Sequence, residues 1–102
     1  MIFKPYNAFG WFKNNFGIHK YDTIIPSSSN YVSFTVEPSF NTCLTKCHQT
    51  FGCTHISYTY RGFQRYQRGS CWVKNNSIQI ESAVYKTCFT SAILNQSIIL
   101  YL

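Results

Sequence analysis

Acidic residues are the scarcest resource in this sequence. Three Asp and Glu stand against nine Lys and Arg in 102 residues. Charge of either sign is sparse, at 12% of the chain. With Asp22, Glu37 and Glu81 scattered, no pair of carboxylates is available for acid–base hydrolysis. There is no Gly-rich phosphate loop and no Gly-x-Ser-x-Gly turn, and no internal repeat, heptad run or low-complexity tract beyond Ser27-Ser28-Ser29. Long apolar runs are missing too. Residues 1–20 lack an uninterrupted apolar core and a small-residue cleavage site, so they do not read as a signal peptide. The apolar stretch 91–100 is too short and too interrupted to span a bilayer, so no membrane span is expected. The chain is therefore expected to be a fragment, a mature form, or one module of a larger secreted protein. Enzyme activity is not expected, and neither is a cofactor.

What is present points another way. Aromatic residues make up 19% of the chain, and five cysteines are packed into one domain's length. A domain this small gains from cross-links. The cysteine density implies an oxidising, extracellular setting, and the sequons at Asn75 and Asn95 agree with it as glycosylation sites. The richness in Tyr, Phe, Ser and Thr favours strands.

The stretch 40–60 organises the rest. Phe40, Cys43, Leu44, Cys47 and Phe51 recur at helical spacing, which predicts a helix over about 40–50 with those residues on its core face. Ser39 suits the N-cap, with Thr42 in place of the usual Glu of a capping box, and Gly52 suits a left-handed stop. Ile56, Tyr58 and Tyr60 then alternate, which predicts a strand over 54–60. Cys53 sits at the corner, within reach of Cys47. A short strand or bend is expected at 21–26, ended by Pro26, and further strands at 31–36, at 71–74 and at 83–88, with a brief alternation at 78–80. The alternation in 31–36 favours Val32, Phe34 and Val36 on one side, as the buried set. Trp72 is opposite in parity to Cys71 and Val73, and reads either as a surface contact residue or as the cover of a small second core, with the second preferred.

Residues 1–16 form an aromatic N-terminal arm, with a hairpin around Gly10. Two readings of it stand: a docking arm, or the cover of one sheet edge, with the second preferred. Residues 17–88 form the domain proper, and 89–102 an apolar, β-prone C-terminal tail that adds a strand or packs on the N-terminal segment.

Between the strands at 54–60 and 71–74 lies the functional candidate. Its ten residues hold Arg61, Arg65 and Arg68 alternating with Phe63 and Tyr66, and no acid. Arginine forks suit sulfate or carboxylate, and aromatic faces suit sugar rings. The expected partner is an acidic glycan or protein. Nucleic acid would use the same residue types but does not fit a disulfide setting. Lys74 is counted with this binding set, and Lys46 and Lys86 join it only if the fold brings them to the same face. Zinc ligation by Cys43, Cys47, Cys53 and His48 or His55 has the wrong spacing for a knuckle, so no metal is expected. Cys47 and His48 are adjacent on a helix and point apart, which excludes a Cys–His nucleophile.

The frame Cys43-x3-Cys47-x5-Cys53-x2-Ile56-x-Tyr58, followed by Cys71-Trp72-Val73-Lys74 and Tyr85-Lys86-Thr87-Cys88, resembles the PAN/apple family over about residues 17–88. Tyr21-Asp22-Thr23-Ile24 sits where family members carry a short acidic–hydrophobic strand before the helix. The resemblance implies an α+β fold: a small disulfide-stapled module in which one helix packs across an antiparallel sheet. It implies that Cys43 bonds Cys71 and that Cys47 bonds Cys53. It implies a non-catalytic adhesion module for glycans or proteins. Cys88 departs from the pattern, because no cysteine precedes Cys43 to pair with it. It is left free, bonded to another chain, or separated from a partner in a missing piece. A structural alternative is a subunit of an extracellular homo-oligomer or filament, joined through the aromatic arm and the apolar tail.

Overall fold

The computed structural model describes residues 11–13, 16–25, 31–62, 66–75 and 83–94. Phe3, Tyr6, Phe9 and Gly10, the loop at 27–30, Phe63, Arg65, residues 76–82, Asn95 and the rest of the tail lie outside the described residues. The elements are β1 (Phe12–Lys13), β2 (Gly17–Ile24), β3 (Ser33–Val36), α1 (Phe40–Gln49), β4 (His55–Thr59), β5 (Ser70–Lys74) and β6 (Val84–Leu94). The six strands form one antiparallel sheet in the order β1-β2-β6-β4-β5-β3. The helix lies on one face, so the fold is α+β.

Local chemistry explains the helix. The Ser39 side chain accepts from the Thr42 backbone N–H at 3.2 Å, and Thr42 Oγ1 accepts from the Ser39 N–H at 3.2 Å. Thr42 thus completes the capping box that a Glu would ordinarily make, which satisfies two of the orphan donors of the first turn. Thr50 caps the other end, and Gly52 follows with φ +79 in the left-handed region. Cys43, Leu44 and Cys47 face inward against Ile56, Tyr58, Cys71, Val73, Ala92 and Leu94. Phe40 packs partly against them. Phe51 does not. It lies past the last helical turn, where helical spacing no longer sets direction, and it is fully exposed. This corrects the expectation that it joins the core face.

Two disulfides hold the helix to the sheet. Cys43 bonds Cys71 of β5, and Cys47 bonds Cys53 at the corner before β4. The first closes a span of 28 residues and stabilises by about 3–4 kcal/mol in the chain-entropy picture; the second spans 6 and contributes about 2 kcal/mol.

The strands differ from expectation in four places. β3 is an edge strand, and Val32, Phe34 and Val36 are all exposed. Alternation finds the common face correctly, but at an edge that face has no covering layer. The strand expected at 83–88 runs on without a break to Leu94, so residues 89–94 of the supposed tail are sheet. The strand expected at 21–26 begins earlier, at Gly17, and pairs with β6 along its length. Phe12 and Lys13 of the aromatic segment also belong to the sheet. β1 pairs with β2, and Trp11 is buried with Ile18, Ile25 and Ile93 in a second core on the face away from α1.

β2 and β6 change register once. Tyr21 pairs with Thr90, but Thr23 pairs with Tyr85, so Asp22 alone stands opposite residues 86–89. Asp22 and Cys88 both take positive φ there, at 52° and 71°. The Asp22 carboxylate repairs the interrupted ladder: Oδ1 accepts from the Cys88 N–H at 3.1 Å and from the Tyr60 hydroxyl.

Candidate functional site

The arginine loop leaves β4 at Thr59 and returns to β5 at Ser70, and its base is pinned by Thr59. The Thr59 hydroxyl donates to Gln67 O and accepts from the Ser70 N–H at 2.9 Å. Gly69 closes the turn with φ +90. Its N–H donates to Thr59 O at 2.7 Å, and its carbonyl accepts from Glu37 N–H at 2.8 Å. A Cβ at this position would stand 2.6 Å from the Glu37 carbonyl oxygen, so only glycine fits.

From this base Tyr66 folds back over the sheet. Its ring meets Trp72 at 6.1 Å and Phe89 at 5.1 Å, both edge-on, while Trp72 stacks on Phe89 at 5.6 Å. Phe34 extends the array at 5.3 Å from Trp72, and Tyr31 lies 6.3 Å beyond it. The Lys86 ammonium sits 5.5 Å from the Tyr66 ring centre and 5.3 Å from that of Phe89. This is cation–π geometry. Only Phe89 of the array is buried; Tyr31 and Phe34 are open to solvent. Trp72 is half-buried, stacked on the buried Phe89. The bulge opposite Asp22 contains Lys86, which is how the fold delivers this lysine to the aromatic face.

The predicted binding residues therefore divide. Tyr66 and Lys86 meet on the face away from α1. Arg68 is exposed and lines an open cleft of about 350 Å³ with Val36, Glu37, Pro38 and Gly69. Arg61 is exposed at the other root of the loop, its Nε donating to Cys88 Sγ at 3.5 Å. Lys74 departs from the set. It is 4% exposed, and its ammonium donates to Ser57 Oγ at 3.1 Å beneath the sheet surface. Desolvation pushes its pKa down to about 8. Lys74 shares the Trp72 face of β5, but its side chain lies against Ser57 of the neighbouring β4, so it is a buried lysine and not part of a basic patch. Phe34, Trp72 and Phe89 enter the array without having been predicted as ligand-facing. The signal for them was the parity of Trp72 alone, since cross-strand register is not readable from one strand.

Cys88 is unpaired and buried. Its amide is held by Asp22 and its sulfur lies beside Arg61, so a bond to another chain requires β6 to open locally. The same carboxylate raises the Tyr60 hydroxyl above its ordinary pKa, through the hydrogen bond first. Asn75 is exposed at the end of β5.

The histidines are structural in their surroundings. His55 is fully buried in β4; its Nδ1 lies 2.9 Å from Thr54 Oγ1, and its Nε2 is buried with no partner among the described residues. Desolvation, with the Lys74 charge second, lowers its pKa to about 3. His19 stacks on Phe40 of the helix at 4.4 Å, its Nε2 meets Thr90 Oγ1, and desolvation lowers its pKa to about 4. Cys43, Cys47, Cys53 and Cys71 are consumed by disulfides, so they supply no thiolate. His48 and Phe51 line a second open cleft of about 350 Å³ at the C-terminal end of α1, with Cys47, Cys53, Thr54 and Leu94.

No family model and no curated protein matches the chain. Among the described residues, no helix is long and apolar enough to cross a membrane.

Proposed function

We propose that this chain is a non-catalytic, extracellular PAN/apple-like binding module whose ligand is an acidic glycan or an acidic protein surface. The observation that carries the reading is the aromatic array of Tyr31, Phe34, Tyr66 and Trp72 with the Lys86 ammonium over it, beside a loop that carries Arg65 and Arg68. Stacked rings offer flat apolar faces to sugar rings. The Lys86 ammonium beside them attracts sulfate or carboxylate, and the net charge of +6 adds long-range attraction. The two disulfides support the oxidising setting.

The test is retention on immobilised heparin across a salt gradient. The oxidised chain is expected to bind and to elute earlier as charges are removed. Arg65→Ala, Arg68→Ala and Lys86→Ala are each expected to shift elution to lower salt, and the triple variant to abolish retention. Tyr66→Ala is expected to weaken binding by roughly three- to tenfold, the scale of a lost stacking or cation–π contact. Retention that survives the triple variant rejects this site.

A further inference from the structure

We propose that β3 is a self-pairing edge through which two copies of this chain join their sheets about a two-fold axis at Thr35. The inference does not depend on the ligand, although Phe34 serves in both. Tyr31-Val32-Ser33-Phe34-Thr35-Val36 contains no charge, no proline and no glycine. Natural edge strands are ordinarily blunted by one of these, because an open strand offers its backbone to any other strand. β3 is the last strand of the sheet on its side, and Tyr31, Val32, Phe34 and Val36 are 52%, 48%, 45% and 52% exposed.

The ladder to β5 tells which backbone groups are committed. Glu37 N–H donates to Gly69 O, and Ser33 and Thr35 are in register with Val73 and Cys71. Val32 N–H, just before the strand, also donates to Val73 O at 2.8 Å; from Ser33 on the register is constant and the bonded positions alternate, so Thr35 and Glu37 turn their amides to β5. Phe34 and Val36 turn theirs outward, away from the sheet. A second β3, antiparallel, places Phe34 opposite the other copy's Val36, and Val36 opposite its Phe34. Each pair exchanges both backbone bonds and sets an aromatic ring against a β-branched side chain, a favourable cross-strand combination. The match is self-complementary, as an isologous interface requires.

Thr35 itself is half-buried. On the two-fold axis the two Thr35 side chains face each other at the close, non-bonded position of the ladder, where threonine pairs hydrogen-bond. Glu37 falls opposite Ser33 of the other copy in this register, so no like charges meet. A foreign strand chosen by charge would find nothing on 31–36 to recognise. A copy of the same strand finds a match at every position.

Charge sets the conditions. Each copy carries +6, so the copies repel at long range and salt screens that repulsion. Pairing is expected to strengthen with salt, whereas binding to an anion weakens with it. The experiment is sedimentation of the oxidised chain over a concentration series at low and high salt, with amide hydrogen exchange on the same samples. A dimer that grows with concentration and with salt is expected. So is slowed exchange at Phe34 and Val36, in step with the dimer fraction. Val36→Lys, a charge placed on a half-exposed side chain, is expected to raise the dissociation constant at least roughly tenfold. The exchange result does not depend on how that variant folds. A chain that stays monomeric, a dimer whose Phe34 and Val36 amides exchange as freely as in the monomer, or open-ended assembly each overturns the proposal.

Discussion

At the scale of single residues, a few side chains carry disproportionate weight because so few acids are present. Asp22 is the clearest. One of its oxygens receives the Cys88 amide and the Tyr60 hydroxyl across a break in the β2–β6 ladder. Removing it leaves a buried donor unmatched, so Asp22→Ala is expected to cost about 1–3 kcal/mol in urea unfolding. The buried Cys88 thiol should then react faster with a thiol reagent, because the bulge that covers it loosens. Asp22→Asn, which keeps an acceptor, is expected to retain most of the stability.

The histidines set the acid response. Folded pKa values of about 4 for His19 and about 3 for His55 lie below the ordinary 6.5. Between pH 6.5 and those values the unfolded chain binds protons that the folded chain excludes. Their contribution is therefore complete above pH 6.5 and is lost as the pH falls through this window. For His55 the loss is on the order of a few kcal/mol. A urea midpoint that drops from pH 6 to pH 3.5, with a shallower drop in His55→Asn, is the expected result. A midpoint that stays level across that range contradicts it. None of this was legible beforehand. A His in a strand looks alike whether it is buried or facing solvent, and burial here comes from strands far away in sequence.

At the scale of elements, the helix and the corner after it were the most legible part. Its period, its Ser39 cap and the turn at Gly52 are local signals, and they agree with what forms. The pairing of Cys43 with Cys71 is not local, and it followed from family resemblance, not from spacing. Replacing both by Ala is expected to lower stability by about 3–4 kcal/mol, measured by urea unfolding, if the helix otherwise keeps its place. Ser39→Ala is expected to cost about 1 kcal/mol. Where local signals stop, the reading fails in intelligible ways. Phe51 continues a helical period that the backbone has already abandoned. Val32, Phe34 and Val36 show a correct alternation whose apolar side turns out to be open. Lys74 has the parity of a surface residue on a strand that the sheet covers from both sides.

At the scale of the whole molecule, the sheet order could not be read from the chain. β2 pairs with β6 across most of the sequence, and β4 lies between β6 and β5. These contacts join residues separated by tens of positions, and no periodicity records them. The candidate site depends on this order: Tyr66 from the loop, Trp72 from β5 and Lys86 and Phe89 from β6 meet only because β4 sits between the last two strands. The arginine loop was visible in the sequence; the aromatic floor beneath it was not.

The register of β2 against β6 also decides how the domain would behave under tension. Gly17 pairs with Leu94, so the two ends of the folded ladder lie side by side. Force applied through those residues opens β2 from β6 like a zip, one backbone bond after another, rather than loading all of them at once. The rest of the sheet is sheltered differently. Residues 43–71 are closed by a covalent link, and that span cannot be drawn out while the disulfide stands. A pulled molecule is therefore expected to yield early along β2 and then stop short. Adding a reductant should lengthen the final extension by about 90–100 Å, the reach of the 28-residue span it frees.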